Sequence, residues 1–285
     1  MVDGSDDDMP TLSADTLALL QEFQQTQSDR VAAFERLRAR AEQRFDDVDG
    51  AEKVREGDDD SDADDEGTAL ENMEVFEEDW NLSQFWYTDA TARRLSAYVL
   101  APLVTIDVDD ENAAPVVAED YATRPDVHVA IISAPTVHQY LTRRILPTLP
   151  RDVAARIHSV VFEHDDRFAV FGPGQFVFYD FNEPTNVPET MRGRFDAIIV
   201  DPPFLSEECQ VKTAITARLL ARQSATAKVA VCTGEKVADV ILRTYRSWSV
   251  RRTGFRPEHR NGLQNEFRCF ANVGVEGVWT LREER

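Results

Sequence analysis

Residues 195–204 read Phe-Asp-Ala-Ile-Ile-Val-Asp-Pro-Pro-Phe, an apolar run that ends in Asp201-Pro202-Pro203-Phe204. That order of residue types has a chemical use. Proline fixes φ, offers no N–H and stops a strand abruptly, which leaves the neighbouring carbonyls pointing outward as acceptors. The Asp201 carboxylate and a carbonyl near Pro202 can together accept both protons of one amine, aiming its lone pair at an electrophile. Phe204 offers a face that stacks on a base or packs along a lysine stem, with cation–π attraction if the amine is charged. The plainer alternative is a strand that ends in a proline turn. What lifts the motif above chance is its place at the end of a central strand.

Three further stretches have the residue types of a nucleotide-like cofactor site. Ser133-Ala134-Pro135-Thr136 combines small residues, which let backbone approach a ligand, with the start of a helix that favours a carboxylate. An acid within Glu163-His164-Asp165-Asp166 can accept both protons of a ribose diol, through Glu163 or Asp165. Tyr179-Asp180-Phe181 is placed to meet an adenine, Asp180 through its amino group. Each alone is matched by a bland reading, a strand–helix turn or a solvated acidic loop. Their common position, after successive strand candidates, sends all of them to one crevice.

The elements that must position these residues follow from apolar patterning. Strands are expected at Val127–Ile132, Ser159–Phe162, Gln175–Tyr179, Ala197–Val200 and Val229–Cys232, with late ones at Ser249–Arg252 and Glu266–Val273. Helices fit Thr88–Ala101, Thr136–Ile145, Glu207–Arg222 and Val237–Tyr245. Strand–helix alternation with short apolar strands implies an α/β fold, a parallel sheet covered on both faces. The last strand pair, joined through Gly254, Pro257 and Gly262, reads as an antiparallel hairpin at the end of that sheet. Upstream, residues 1–10 form an acidic start and 11–45 carry helical spacing of Leu and Phe. Residues 46–78 are an acidic linker that cannot bury enough apolar surface to order itself. The remaining stretch, 79–285, is the expected domain. It opens on an aromatic run in which Trp86 and Tyr87 join Phe204 as candidates for acceptor binding.

Charge is uneven along the 285 residues, whose formal net is -21. Residues 1–79 hold 26 acids against 7 bases, whereas the remainder holds 26 against 24. An acidic tail repels phosphate backbones and suits a basic protein partner, or simply solubilises the chain. Arg251, Arg252, Arg256, His259, Arg260 and Arg268 could line a phosphate track; a solvated face or an anchor for an acidic protein is the plainer reading. Three scattered cysteines, Cys209, Cys232 and Cys269, lack metal-ligand spacing and suggest buried, reduced thiols. No apolar run reaches the roughly 18 residues of a membrane span, and the acidic N-terminus is no signal peptide. A cytoplasmic protein is expected.

Several strings together resemble the eukaryotic elongation factor 1-alpha lysine methyltransferases, a family also described as N6-adenine-specific. They include Ser83-Gln84-Phe85-Trp86-Tyr87, Ile132-Ser133-Ala134-Pro135, Phe162-Glu163-His164-Asp165, Phe178-Tyr179-Asp180, Asp201-Pro202-Pro203-Phe204-Leu205-Ser206-Glu207-Glu208-Cys209 and Asn265-Glu266-Phe267-Arg268-Cys269. The likeness spares only the acidic linker and an insert around 107–120. It implies a seven-stranded class I methyltransferase (Rossmann-like) sheet, S-adenosyl-L-methionine as methyl donor and a lysine of translation elongation factor 1-alpha as acceptor. Phe204 stands where tyrosine is common and His164 where tyrosine often separates the two acids. Adenine methylation of DNA or RNA, and a catalytically silent fold used for binding, are the alternatives.

Overall fold

A computed structural model describes Gln25 and residues 84–222, 227–262 and 266–282. The helical segment expected over 11–45 and the acidic linker lie outside the described residues.

Seven strands form the main sheet: β3 (Val127–Ile132), β4 (Ile157–Glu163), β5 (Phe176–Phe178), β6 (Ala197–Val200), β7 (Lys228–Gly234), β8 (Arg251–Arg252) and β9 (Phe267–Ala271). Their order is β5-β4-β3-β6-β7-β9-β8. β3 to β7 pair in parallel, and β9 runs antiparallel to both β7 and β8. The seven-stranded, mainly parallel sheet with a closing antiparallel hairpin is the one the resemblance implied. A separate two-stranded sheet, β1 (Val104–Thr105) with β2 (Val116–Val117), occupies the insert and was not expected. Two-residue strands leave too short a pattern to read.

The register explains why the candidate stretches meet. Ile132 pairs with Phe162 and with Val200, Glu163 with Phe178, and Val200 with Val231. Ser133, His164, Tyr179 and Asp201 therefore leave the sheet along one rim. The chain lays down β3, β4 and β5 outward, then returns beside β3 to begin β6. At that reversal the connections diverge and open a crevice beyond the carboxyl ends of the strands.

Side-chain alternation along the strands builds two cores. Val129, Ile131 and Ile199 pack on one face with Leu95 and Val99 of α1 (Asp89–Leu100). Ala130, Ile132, Ile198 and Val200 pack on the other with Ala214, Ala217 and Leu220 of α4 (Glu207–Leu220). Each fully buried Leu, Ile or Val side chain contributes about 1.5–3 kcal/mol. The ends of α1 and α4 are fixed by side chains: Thr88 Oγ1 accepts from Thr91 N, and Ser206 Oγ accepts from Cys209 N. The expected helix at Thr136–Ile145 divides into α2 (Pro135–Tyr140) and a π turn at Leu141–Ile145, where Thr142 Oγ1 donates back to the His138 carbonyl. The short α3 (Arg151–Ala154) leads into β4, and α5 (Ala238–Thr244) follows β7.

Candidate active site

Beyond β3 the chain turns at Ser133, which holds φ at 56°. Left-handed backbone at a residue with a Cβ costs about 1–2 kcal/mol, and the Ser133 N–H is tied to the Phe162 carbonyl at 2.9 Å. The strain brings the loop against the end of β4. Two adjoining cavities open there. The larger, about 320 Å³, runs from Ser133, Glu163 and His164 past Tyr179, Asp180, Phe181 and Asn182 to Pro203 and Phe204. The smaller, about 30 Å³, is bounded by Gln84–Tyr87, Ser133–Thr136, Glu163, Asp201, His259 and Phe267. Ser133 and Glu163 belong to both.

The two acids after β4 part company. Glu163 is buried, and its Oε1 accepts the His164 N–H at 2.8 Å. Desolvation pushes its carboxyl up to about 7, with the charge of Asp165 acting in the same direction. Asp165 turns away from the cavities. It takes Arg167 Nη2 at 2.5 Å and Gln84 Nε2 at 3.0 Å. Burial works to raise it, but the hydrogen bonds from Arg167 and Gln84 hold it below the usual carboxylate range. Between the two candidates for a diol, only Glu163 lines the crevice.

Asp201 faces the smaller cavity from the end of β6. Burial pushes it up to about 8; the Tyr87 hydroxyl opposes this and the Glu163 charge adds to it. No cation stands among the groups that shift either carboxyl. Pro202 is buried and lines neither cavity, while Pro203 and Phe204 line the larger one. The turn itself is pinned from behind. Gln210 Nε2 donates to the Phe204 carbonyl at 2.9 Å and to Thr233 Oγ1 at 3.2 Å. Leu205 closes over Gly234, where an added Cβ would come within 2.9 Å of Leu205 Cδ1. Phe204 remains 39% exposed, its ring 5.6 Å from that of Phe181.

Trp86 and Tyr87 are not an exposed platform. Trp86 is buried against Phe168 in an edge contact at 5.9 Å. Tyr87 is 1% exposed, with its ring 4.7 Å from His259. Its hydroxyl lies beside Asp201 and Cys232 yet makes no hydrogen bond of normal geometry among the described residues. A buried polar group left in that condition costs about 1–3 kcal/mol.

Gln84, Phe85, Asn182 and Phe267 also line the cavities, although the sequence does not mark them as site residues. The Ser-Gln-Phe-Trp-Tyr string was the available signal for the first two. His259 looked like part of a basic cluster, but burial pushes it down to about 4 and its ring packs on Tyr87 and Phe267. Four of the arginines grouped with it carry acid partners. Arg252 pairs with Glu235, Arg256 with Glu266, Arg260 with Asp89, and Arg268 with both Glu235 and Glu266. All three cysteines are free and buried, as expected.

A family model described as "Probable N6-adenine methyltransferase" matches residues 78–275. "Protein-lysine N-methyltransferase EFM5" of Saccharomyces cerevisiae is 35% identical over 272 residues, covering 92% of this chain and 91% of its own. "Protein-lysine N-methyltransferase M142.8" of Caenorhabditis elegans is 34% identical over 93% and 95% of the two chains. "EEF1A lysine methyltransferase 1" of Homo sapiens is 33% identical over 95% and 96%.

Proposed function

The chain belongs to the family described as "Probable N6-adenine methyltransferase", and from that premise we propose that it methylates a lysine ε-amine of translation elongation factor 1-alpha, with S-adenosylmethionine as donor. The observation that carries this reading is the pair of cation-free carboxyls, buried Glu163 and half-buried Asp201, on adjoining cavities at one sheet rim. Such groups are costly unless a ligand satisfies them.

The residues fit the cofactor. Glu163 is a buried acceptor suited to a ribose diol, Asp180 lies along the larger cavity for an adenine amino group, and the turn at Ser133–Pro135 leads into the smaller one. When bound, the cofactor supplies a methyl group on a positively charged sulfur. The chain's own contribution is position and proton management. Asp201 and a carbonyl near Pro202 accept the two N–H groups of the amine. Phe204, at the mouth, packs along the lysine stem.

A free lysine has a pKa of about 10.4, so forming the neutral amine at pH 7 costs about 4–5 kcal/mol. Desolvation beside a positive sulfur lowers that cost. An ordinary carboxylate would raise it again by favouring the ammonium. Asp201, pushed up to about 8, sits much nearer the amine and opposes its neutralisation less. Turnover therefore increases with pH through neutrality, as Asp201 ionises and the amine loses its proton.

Base methylation is the second reading, favoured by the wording of the family description. Against it stand the lysine specificity named for the relatives and the acid partners of Arg252, Arg256, Arg260 and Arg268. Incubating the full chain with methyl-labelled S-adenosylmethionine and either purified elongation factor 1-alpha or adenine-containing nucleic acid separates the two. Label on a lysine is the expected result; label on adenine alone reverses the assignment.

A further inference from the structure

The Tyr87 hydroxyl has no use in the scheme above, and its surroundings are unusual. It is fully enclosed, its ring is clamped by His259, and it lies beside Asp201 without a well-formed hydrogen bond. A phenylalanine would fill the same space without burying an unmet donor. A buried hydroxyl in imperfect contact with a reacting carboxyl suggests a bond that becomes well formed only in the working complex.

We propose that Tyr87 is a positioning residue for Asp201: its hydroxyl donates to the carboxylate oxygen that the acceptor amine leaves free, and so fixes the direction in which the other oxygen accepts. This rests on the methyl-transfer reading of the site. Five groups bear on Asp201 from the surrounding elements. Tyr87 precedes α1, Glu163 ends β4, Cys209 lies on α4, Cys232 lies on β7, and His259 shares the cavity from the loop before β9. Burial pushes the Tyr87 hydroxyl well above its ordinary value, so it remains a donor over the whole working pH range. His259, pushed down to about 4, is neutral there. Glu163 works to keep Asp201 protonated, and Tyr87 works to ionise it. Hydrogen bonding to the charged form lowers a carboxyl pKa. Loss of the Tyr87 hydroxyl thus moves the Asp201 titration to higher pH.

The test is Tyr87→Phe in the full chain. Expected are a drop of about tenfold in kcat at pH 7, an acid limb of the pH–rate profile moved up by about one unit, and unchanged affinity for S-adenosylmethionine. Thermal stability should change little, because the Tyr87–Asp201 contact is poorly formed in the empty protein. Retained activity with an unshifted profile would overturn the proposal. So would a joint loss of stability and cofactor binding, the mark of a merely structural residue. Carbon-13 NMR titration of the Asp201 carboxyl, in wild type and in Tyr87→Phe, gives a readout that needs no acceptor. A wild-type enzyme silent on elongation factor 1-alpha would refute the lysine reading, yet an unmoved Asp201 midpoint alone would still refute the role of Tyr87.

Discussion

Asp126 and Asp196 on one rim of the sheet and Glu163 and Asp201 on the other are treated in opposite ways, although Asp165 and Glu235 on the second rim also pair with arginines. At the amino ends of the strands, Asp126 is bonded to Arg156 at 2.9 Å with His158 nearby, and Asp196 meets Arg222 at 3.0 Å while accepting the His128 N–H. Arg156 holds the Asp126 carboxyl below its ordinary value. At the carboxyl ends, Glu163 and Asp201 have no such cation and burial drives both upward. That rim also carries the left-handed Ser133 and the unmet Tyr87 hydroxyl. Identical residue types are thus ion-paired at one end, while Glu163 and Asp201 at the other have no cation beside them.

Breaking the carboxyl-end rim should have the larger consequences. Asp201→Ala is expected to lower methylation by on the order of a thousandfold while S-adenosylmethionine still binds, since orientation of the amine is lost but Glu163 is intact. Equilibrium cofactor titration beside single-turnover methylation checks this; near-native turnover would remove Asp201 from the mechanism. Glu163→Gln should act on the other half of the site, weakening cofactor affinity roughly tenfold to hundredfold by replacing a charged acceptor of two hydroxyls. Calorimetric titration measures it, and unchanged affinity would mean that the diol is held elsewhere.

How far these rims were legible depended on where each strand lies. Val127–Ile132 and Ala197–Val200 were bounded correctly from sequence, because central strands are apolar throughout and stop at Ser133 and at Asp201-Pro202. Edge strands were blurred. Ser249–Arg252 shrank to Arg251–Arg252 because Ser249 adopts φ 55°, a conformation its residue type did not announce. The rim itself followed from order alone, as any parallel sheet sends its strand ends to one side. What the sequence withheld was contact between distant segments. Nothing local to His259 says that it leaves the arginines and packs on Tyr87, or that Gln84 reaches Asp165. The difference between Glu163 and Asp165 was likewise a matter of which one Arg167 could reach.

The contrast between the rims is tested most directly by thermal unfolding of the empty protein from pH 5 to pH 9. Asp201 titrates near 8 when folded and near its ordinary value when unfolded, so it subtracts stability progressively as pH rises between those limits. Removing it should help the fold at alkaline pH, with Asp201→Asn melting on the order of 5 °C higher than wild type at pH 8 and little changed at pH 5. Asp126→Asn, which breaks an ion pair, should melt no higher than wild type at pH 8. If Asp201→Asn instead melted below wild type at pH 8, the carboxyl would be part of the protein's stability and not a group reserved for the acceptor.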